Sequence, residues 1–305
     1  MTERKLFIGV LLIFLGACSY GILATFVKMA YQEGFTPGEV TSSQFILGLC
    51  ILGLINLFYP KKAQKSTSVP SSRSNILKLI LAGTSLGLTS TFYYYSVQYI
   101  PVSVGIVLLM QSTWMGVLVE ALLNKTLPEG KKLLATIIVW IGTILATNVL
   151  VEWETLHWKG LAWGILAAIS YTVATYSANR VALTLPTVRR SFWLLVGGTL
   201  IVLLFASSQL MEKYDYTVLW KWGIVLALFG TVLPPLLFTY GMPLTGIGLG
   251  AIITAVEIPV SVIMAMVLLE ENVNGMQWLG IAFILLAIVL MNVYKKKVKR
   301  QLVAS

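Results

Sequence analysis

Apolar residues along this chain come in long blocks rather than in alternation with polar ones. Ten such runs fall near 6–30, 38–59, 76–96, 101–123, 132–150, 160–180, 191–210, 219–240, 245–269 and 276–294. About 20 apolar residues wound into an α-helix cover the hydrocarbon core of a bilayer. A helix also satisfies its own backbone there. The pattern predicts an all-α membrane protein with ten transmembrane helices. Connections such as Val97–Ile100 and Gly241–Leu244 are short enough to force antiparallel neighbours. The longest, Pro60 to Asn75, is rich in Lys, Ser, Gln and Pro and reads as a flexible loop. Arg4-Lys5 and the apolar stretch up to Cys18 mimic a lipoprotein signal. That run continues through Ser19 to Ala24, however, so it is long enough to span.

Composition agrees with a bilayer as solvent. Only 11% of the 305 residues are charged and 57% are hydrophobic, whereas a soluble domain carries roughly 25% charged residues. The net charge of +10 is explained by where the cations lie. With the N-terminus inside, 18 of the 22 Lys and Arg fall on the inner side. Three (Lys159, Lys213 and Lys221) fall outside, and Lys28 lies within a span near its outer end, where it can snorkel. Loops with excess Lys and Arg stay cytoplasmic, so both termini are expected there. Basic loops facing an anionic leaflet need no nucleic-acid partner. Cys18 and Cys50 sit in apolar runs, and His157, the single histidine, in a loop. No cofactor is expected from this material, nor catalysis. No GxxxxGK[ST] loop is present, so ATP would not drive the protein directly.

The chain also repeats itself. A shift of 145 residues lays Tyr95 on Tyr240, Gly105 on Gly250, Val117 on Val262, Leu123 on Leu268 and Gly130 on Gly275. A shift of 151 lays Gly9 on Gly160, Ala17 on Ala168, and Ser19-Tyr20 on Ser170-Tyr171. Spans one to five thus map onto six to ten, dividing the chain into halves at 1–150 and 151–305. Five is odd, so the halves enter the membrane from opposite sides. Inverted repeats of this kind place a substrate site at the midplane between them.

Glu257 is the residue that gives this site chemistry. It lies about a dozen residues from either end of an apolar run, too deep for a short side chain to reach water. A charge there is costly and faces a bundle interior, a partner or a pathway. It can act as a proton carrier or as counter-ion to a cationic group; otherwise it is a structural carboxyl bonded to a neighbouring hydroxyl. Two residues on, Pro259 leaves a carbonyl unpaired and offers a gating bend. The repeat sets Gln111, Ser112 and Trp114 opposite Glu257, and makes Ser19-Tyr20 and Ser170-Tyr171 a second mid-depth pair. Together these side chains form the expected cavity wall. Glu120 and Arg180 lie near the cytoplasmic ends of spans four and six, at depths where a gate pair could form.

Two strings carry a family resemblance. Tyr93-Tyr94-Tyr95-Ser96-Val97-Gln98-Tyr99-Ile100-Pro101-Val102-Ser103-Val104-Gly105 resembles the third-to-fourth span junction of EamA-type transporters in the drug/metabolite transporter superfamily. Glu257-Ile258-Pro259, with Leu268-Leu269-Glu270-Glu271 and Gly275, is similar to the matching signature of the second half. The first half departs from the pattern, with Trp114 where the family often has proline and Lys125 where it often has glutamate. The resemblance implies two five-helix halves, both termini inside, and carriage of amino acids, drugs, sugars or nucleotide-linked metabolites, often outward and in some members against protons. A secondary transporter of a small metabolite in a bacterial plasma membrane is therefore expected. Its rivals are a broad-specificity exporter of organic cations and, more remotely, a polytopic membrane enzyme. The partners these features admit are the solute, protons, the lipid bilayer and a second copy of the chain in a homo-oligomer.

Overall fold

A computed structural model describes residues 3–58, 73–100, 102–147, 157–212, 214–270 and 272–303. All regular structure among them is helical: α1 (Glu3–Gln32), α2 (Pro37–Phe58), α3 (Arg73–Val97), α4 (Val102–Leu109), α5 (Ser112–Asn124), α6 (Gly130–Ala146), α7 (Trp158–Arg180), α8 (Thr187–Glu212), α9 (Ile224–Leu226), α10 (Leu233–Thr245), α11 (Ile247–Thr254), α12 (Glu257–Leu268) and α13 (Gly275–Val303). Two π-helical stretches, Leu219–Gly223 and Ala227–Val232, flank α9. Eight of the resulting helical stretches are long and apolar enough to cross a membrane, and Gly275–Leu290 is a shorter apolar helix. Most of the loop expected from Pro60 to Asn75, and the expected boundary between the halves at 150/151, lie outside the described residues.

Each predicted run coincides with a helix or with abutting helices. α1 passes through Cys18 without a break, as a span requires. The fourth and ninth runs are each split in two. The connection expected at Gly241–Leu244 is not one: those residues continue α10, and the chain turns instead at Gly246, with φ of 88°. Pro243 sits inside α10 and cannot donate to the carbonyl of Thr239. The guanidinium of Arg190 supplies the missing donor, with Nη1 2.7 Å from Thr239 O. That substitution lets the helix run on past the proline.

Helices adjacent in sequence touch little, whereas helices from opposite halves pack closely. α1 lies on α10 and α12, α2 on α8, α3 on α7 and α8, α5 on α11, and α6 on α13. The halves therefore interlock along their length. On the outside, Leu81, Leu122, Ile137, Leu200, Leu204 and Val289 are exposed. An apolar coat of this extent suits lipid and would aggregate in water.

Candidate substrate cavity

The two split runs break in the same way. In the first half, Gln111 N donates to Leu108 O and Thr113 N to Met110 O; in the second, Val256 N donates to Ile253 O and Ile258 N to Ala255 O. Every residue of the second set is 145 positions beyond its counterpart. Bonds to the third residue back tighten each helix by a turn and then let it restart. Pro259 is accommodated by the second break. As third residue of α12 it loses nothing by lacking an N–H, because the first four donors of a helix have no internal acceptor. Trp114 holds the equivalent place in α5, so the first break forms without a proline.

Glu257 is the first residue of α12. α1 comes against it at Gly21, where a Cβ would stand 2.6 Å from Glu257 O and 2.7 Å from Val260 Cβ. Only glycine admits that approach. The carboxyl borders a cavity of about 560 Å³, and its Oε2 has no hydrogen-bond partner among the described residues. Tyr20 and Tyr171 line the same cavity, with ring centroids 6.4 Å apart and edge to face. Tyr93 and Tyr94, 6.0 Å apart, extend the aromatic wall from α3. Along α1 the lining runs from Tyr20 to Tyr31, and along the ninth run from Glu257 to Leu269 and on to Gln277. On the other side of the Glu257 level the described residues pack into a core. Ile13, Ala17, Met242, Leu249, Ile252 and Ile253 fill that space and are buried.

The remaining side chains expected in the wall lie elsewhere. Ser19 is buried and donates to Phe229 O at 2.8 Å, holding α1 to the π-helical stretch. Ser170 and Ser112 are buried outside the cavity lining. Trp114 is 39% exposed on the flank of the bundle, where its Nε1 donates to Gln111 Oε1; Gln111 in turn donates to Val107 O. These groups stabilise the first break. Lys28, expected at the outer interface, lines the cavity about two turns beyond Gly21. Glu120 pairs with Lys132 and not with Arg180. It does so because α6 returns directly from α5 and sets Lys132 against it, while Arg180 is exposed at the end of α7.

Two contributors escaped the sequence reading. Arg190 was counted with the cytoplasmic cations, yet it is 3% exposed and donates to Val181 O, Ala178 O and Thr239 O. Its signal was present in the form of Pro243, a mid-helix proline that demands an outside donor. Gln44, buried on α2, lines the cavity. A glutamine seven residues into an apolar run was its only mark.

Two stretches of the chain, residues 7–148 and 158–293, match the EamA-like transporter family. The chain belongs to that family. Among curated relatives, an uncharacterized transporter of Synechocystis sp. is 27% identical over 157 residues, which make up 48% of this chain and 47% of that one. The chain thus spans about half the length of the curated relative it matches. A protein of known crystal structure superposes over 92% of this chain and 96% of its own with a TM-score of 0.72 at 13% identity, a likeness of fold. EamA-like transporters form part of the drug/metabolite transporter superfamily, and this chain is accordingly a member of that superfamily.

Proposed function

We propose that the protein is a proton-coupled secondary carrier that exports a small amine-bearing metabolite, of amino-acid type, across the bacterial plasma membrane. The observation that carries this reading is Glu257: a carboxyl at a helix break, beside a cavity of about 560 Å³, with one oxygen that no described residue satisfies. An ammonium group and a proton compete for such an oxygen, and that competition is the basis of exchange. Ten crossings in two inverted halves, 1–150 and 151–305, with both termini cytoplasmic, fit the charge bias and the matched breaks. In that orientation the cavity faces the outer side, and the packed layer around Ile13 and Ile252 is the closed inner gate. Rocking of the interlocked halves would expose Glu257 to each side in turn. Tyr20, Tyr93, Tyr94 and Tyr171 supply an aromatic wall that would equally accept a broader range of organic cations.

The test is flux in everted vesicles loaded with labelled amino acids and organic cations, with a pH-sensitive dye alongside. Saturable flux that moves protons is expected, and Glu257→Gln should abolish it while the protein still elutes as a folded species. Flux without proton movement would make the protein a facilitator. Loss of the folded species in Glu257→Gln would make the carboxyl structural.

A further inference from the structure

Glu257 is not the cavity's only group left without a partner. Thr25 Oγ1, Tyr31 OH and Gln44 Oε1 are also buried without hydrogen-bond partners among the described residues, and all three residues line the cavity. A buried polar atom left unpaired is costly, and native structures leave few of them. Their gathering at one cavity calls for a ligand that completes them.

Gln44 is built into place. Its backbone oxygen accepts from Thr231 Oγ1 at 3.0 Å, and its Nε2 lies across Gly230, where a Cβ would collide with it. Both partners belong to the π-helical stretch Ala227–Val232, and such stretches frequently mark functional sites. The amide is therefore fixed by the opposite half of the molecule. Thr25 lies on α1 one turn beyond Gly21, the residue that touches the Glu257 backbone. Those four residues rise about 6 Å along the axis. Gly230 also approaches Leu23, so Gln44 and Thr25 share this second level.

We propose that Gln44, with Thr25, forms a second recognition level for a hydrogen-bond donor on the substrate. A carboxylate and an amide oxygen accept only, and the threonine hydroxyl can do so. The complementary solute is therefore an amine that carries a second, neutral donor, a hydroxyl or an amide, one helix turn away from its ammonium. The proposal rests on the reading of Glu257 as the cation site.

The probe pair is 4-amino-1-butanol and n-pentylamine, which match in length but differ in the terminal donor. Affinity is read as thermal stabilisation of the full chain purified in detergent. The wild type should bind the amino alcohol about tenfold more tightly, the discrimination of one hydrogen bond. In Gln44→Met, which keeps length and removes the acceptor, the two affinities should converge. Glu257→Gln should weaken both. Equal wild-type affinities with both lost in Glu257→Gln would overturn the second level and leave the cation site standing. No saturable stabilisation by either amine would overturn both. The wild-type comparison decides even if Gln44→Met fails to fold.

Discussion

At the scale of single residues, the chain concentrates its cost at two contacts. Gly21 lets α1 touch the start of α12, and any side chain there meets a backbone oxygen and a β-carbon at van der Waals contact or closer. Gly21→Ala should therefore destabilise the fold by about 1–3 kcal/mol, as overpacking does. Transport should fall with it, since the displaced element carries Glu257; thermal unfolding beside vesicle flux checks both. Arg190 is the second contact. Its three carbonyl partners have no other donor in reach of an α-helical pattern: two end α7 and one is orphaned by Pro243. Arg190→Met should cost about 3 kcal/mol or more, because buried acceptors lose charge-assisted bonds. Arg190→Lys should restore only part, since one ammonium cannot reproduce the fork. A full rescue by lysine in a melting experiment would show that charge alone mattered.

At the scale of elements, the two broken runs are the feature to explain. α4 and α5 are joined by the same hydrogen-bond pattern as α11 and α12, although only the second pair has a proline. The break is therefore a property of packing between the halves, which proline accommodates and does not create. Replacing Pro259 by alanine should leave the break in place and change stability by less than about 1 kcal/mol, which a melting curve would show; a larger gain would mean that proline enforces the bend. Glu120 links α5 to α6 through Lys132 and also abuts Gly246 and Gly248 at the start of α11. This ties three elements together at the end away from the Glu257 cavity. Glu120→Gln should loosen that end. The readout is labelling of Ala17→Cys by a charged maleimide in a background with Cys18 and Cys50 replaced by Ser: faster labelling than in the parent is expected, and an unchanged rate would leave the pair without a gating role.

At the scale of the whole molecule, the interlock matters most. Because α1, α2, α3 and α5 pack mainly on helices of the other half, neither half encloses the cavity alone. Its lining draws on α1, α2 and α3 from one side and on α7, α10 and α12 from the other. Expressing residues 1–150 and 151–305 as separate chains should give no thermal stabilisation by an amine until the two are combined. Binding by either alone would overturn this picture.

The sequence by itself determined the apolar helical runs, the 145-residue correspondence and the place of Glu257. Each of these depends on local quantities: apolar length against bilayer thickness, residue identity at a fixed offset, and the cost of a charge at depth. The loop ends were legible only approximately, as Gly241–Leu244 shows, because an outside guanidinium rescued a helix that proline should have stopped. Which polar groups meet was decided by tertiary structure. Tyr20 and Tyr171 face the cavity while their neighbours Ser19 and Ser170 are buried outside its lining, and Trp114 turns outward. Adjacent residues on a helix point about 100° apart, so depth alone cannot say which of them sees the cavity. Gln44 and Arg190 gained their roles from partners 187 and 49 positions away, distances over which no local pattern carries information.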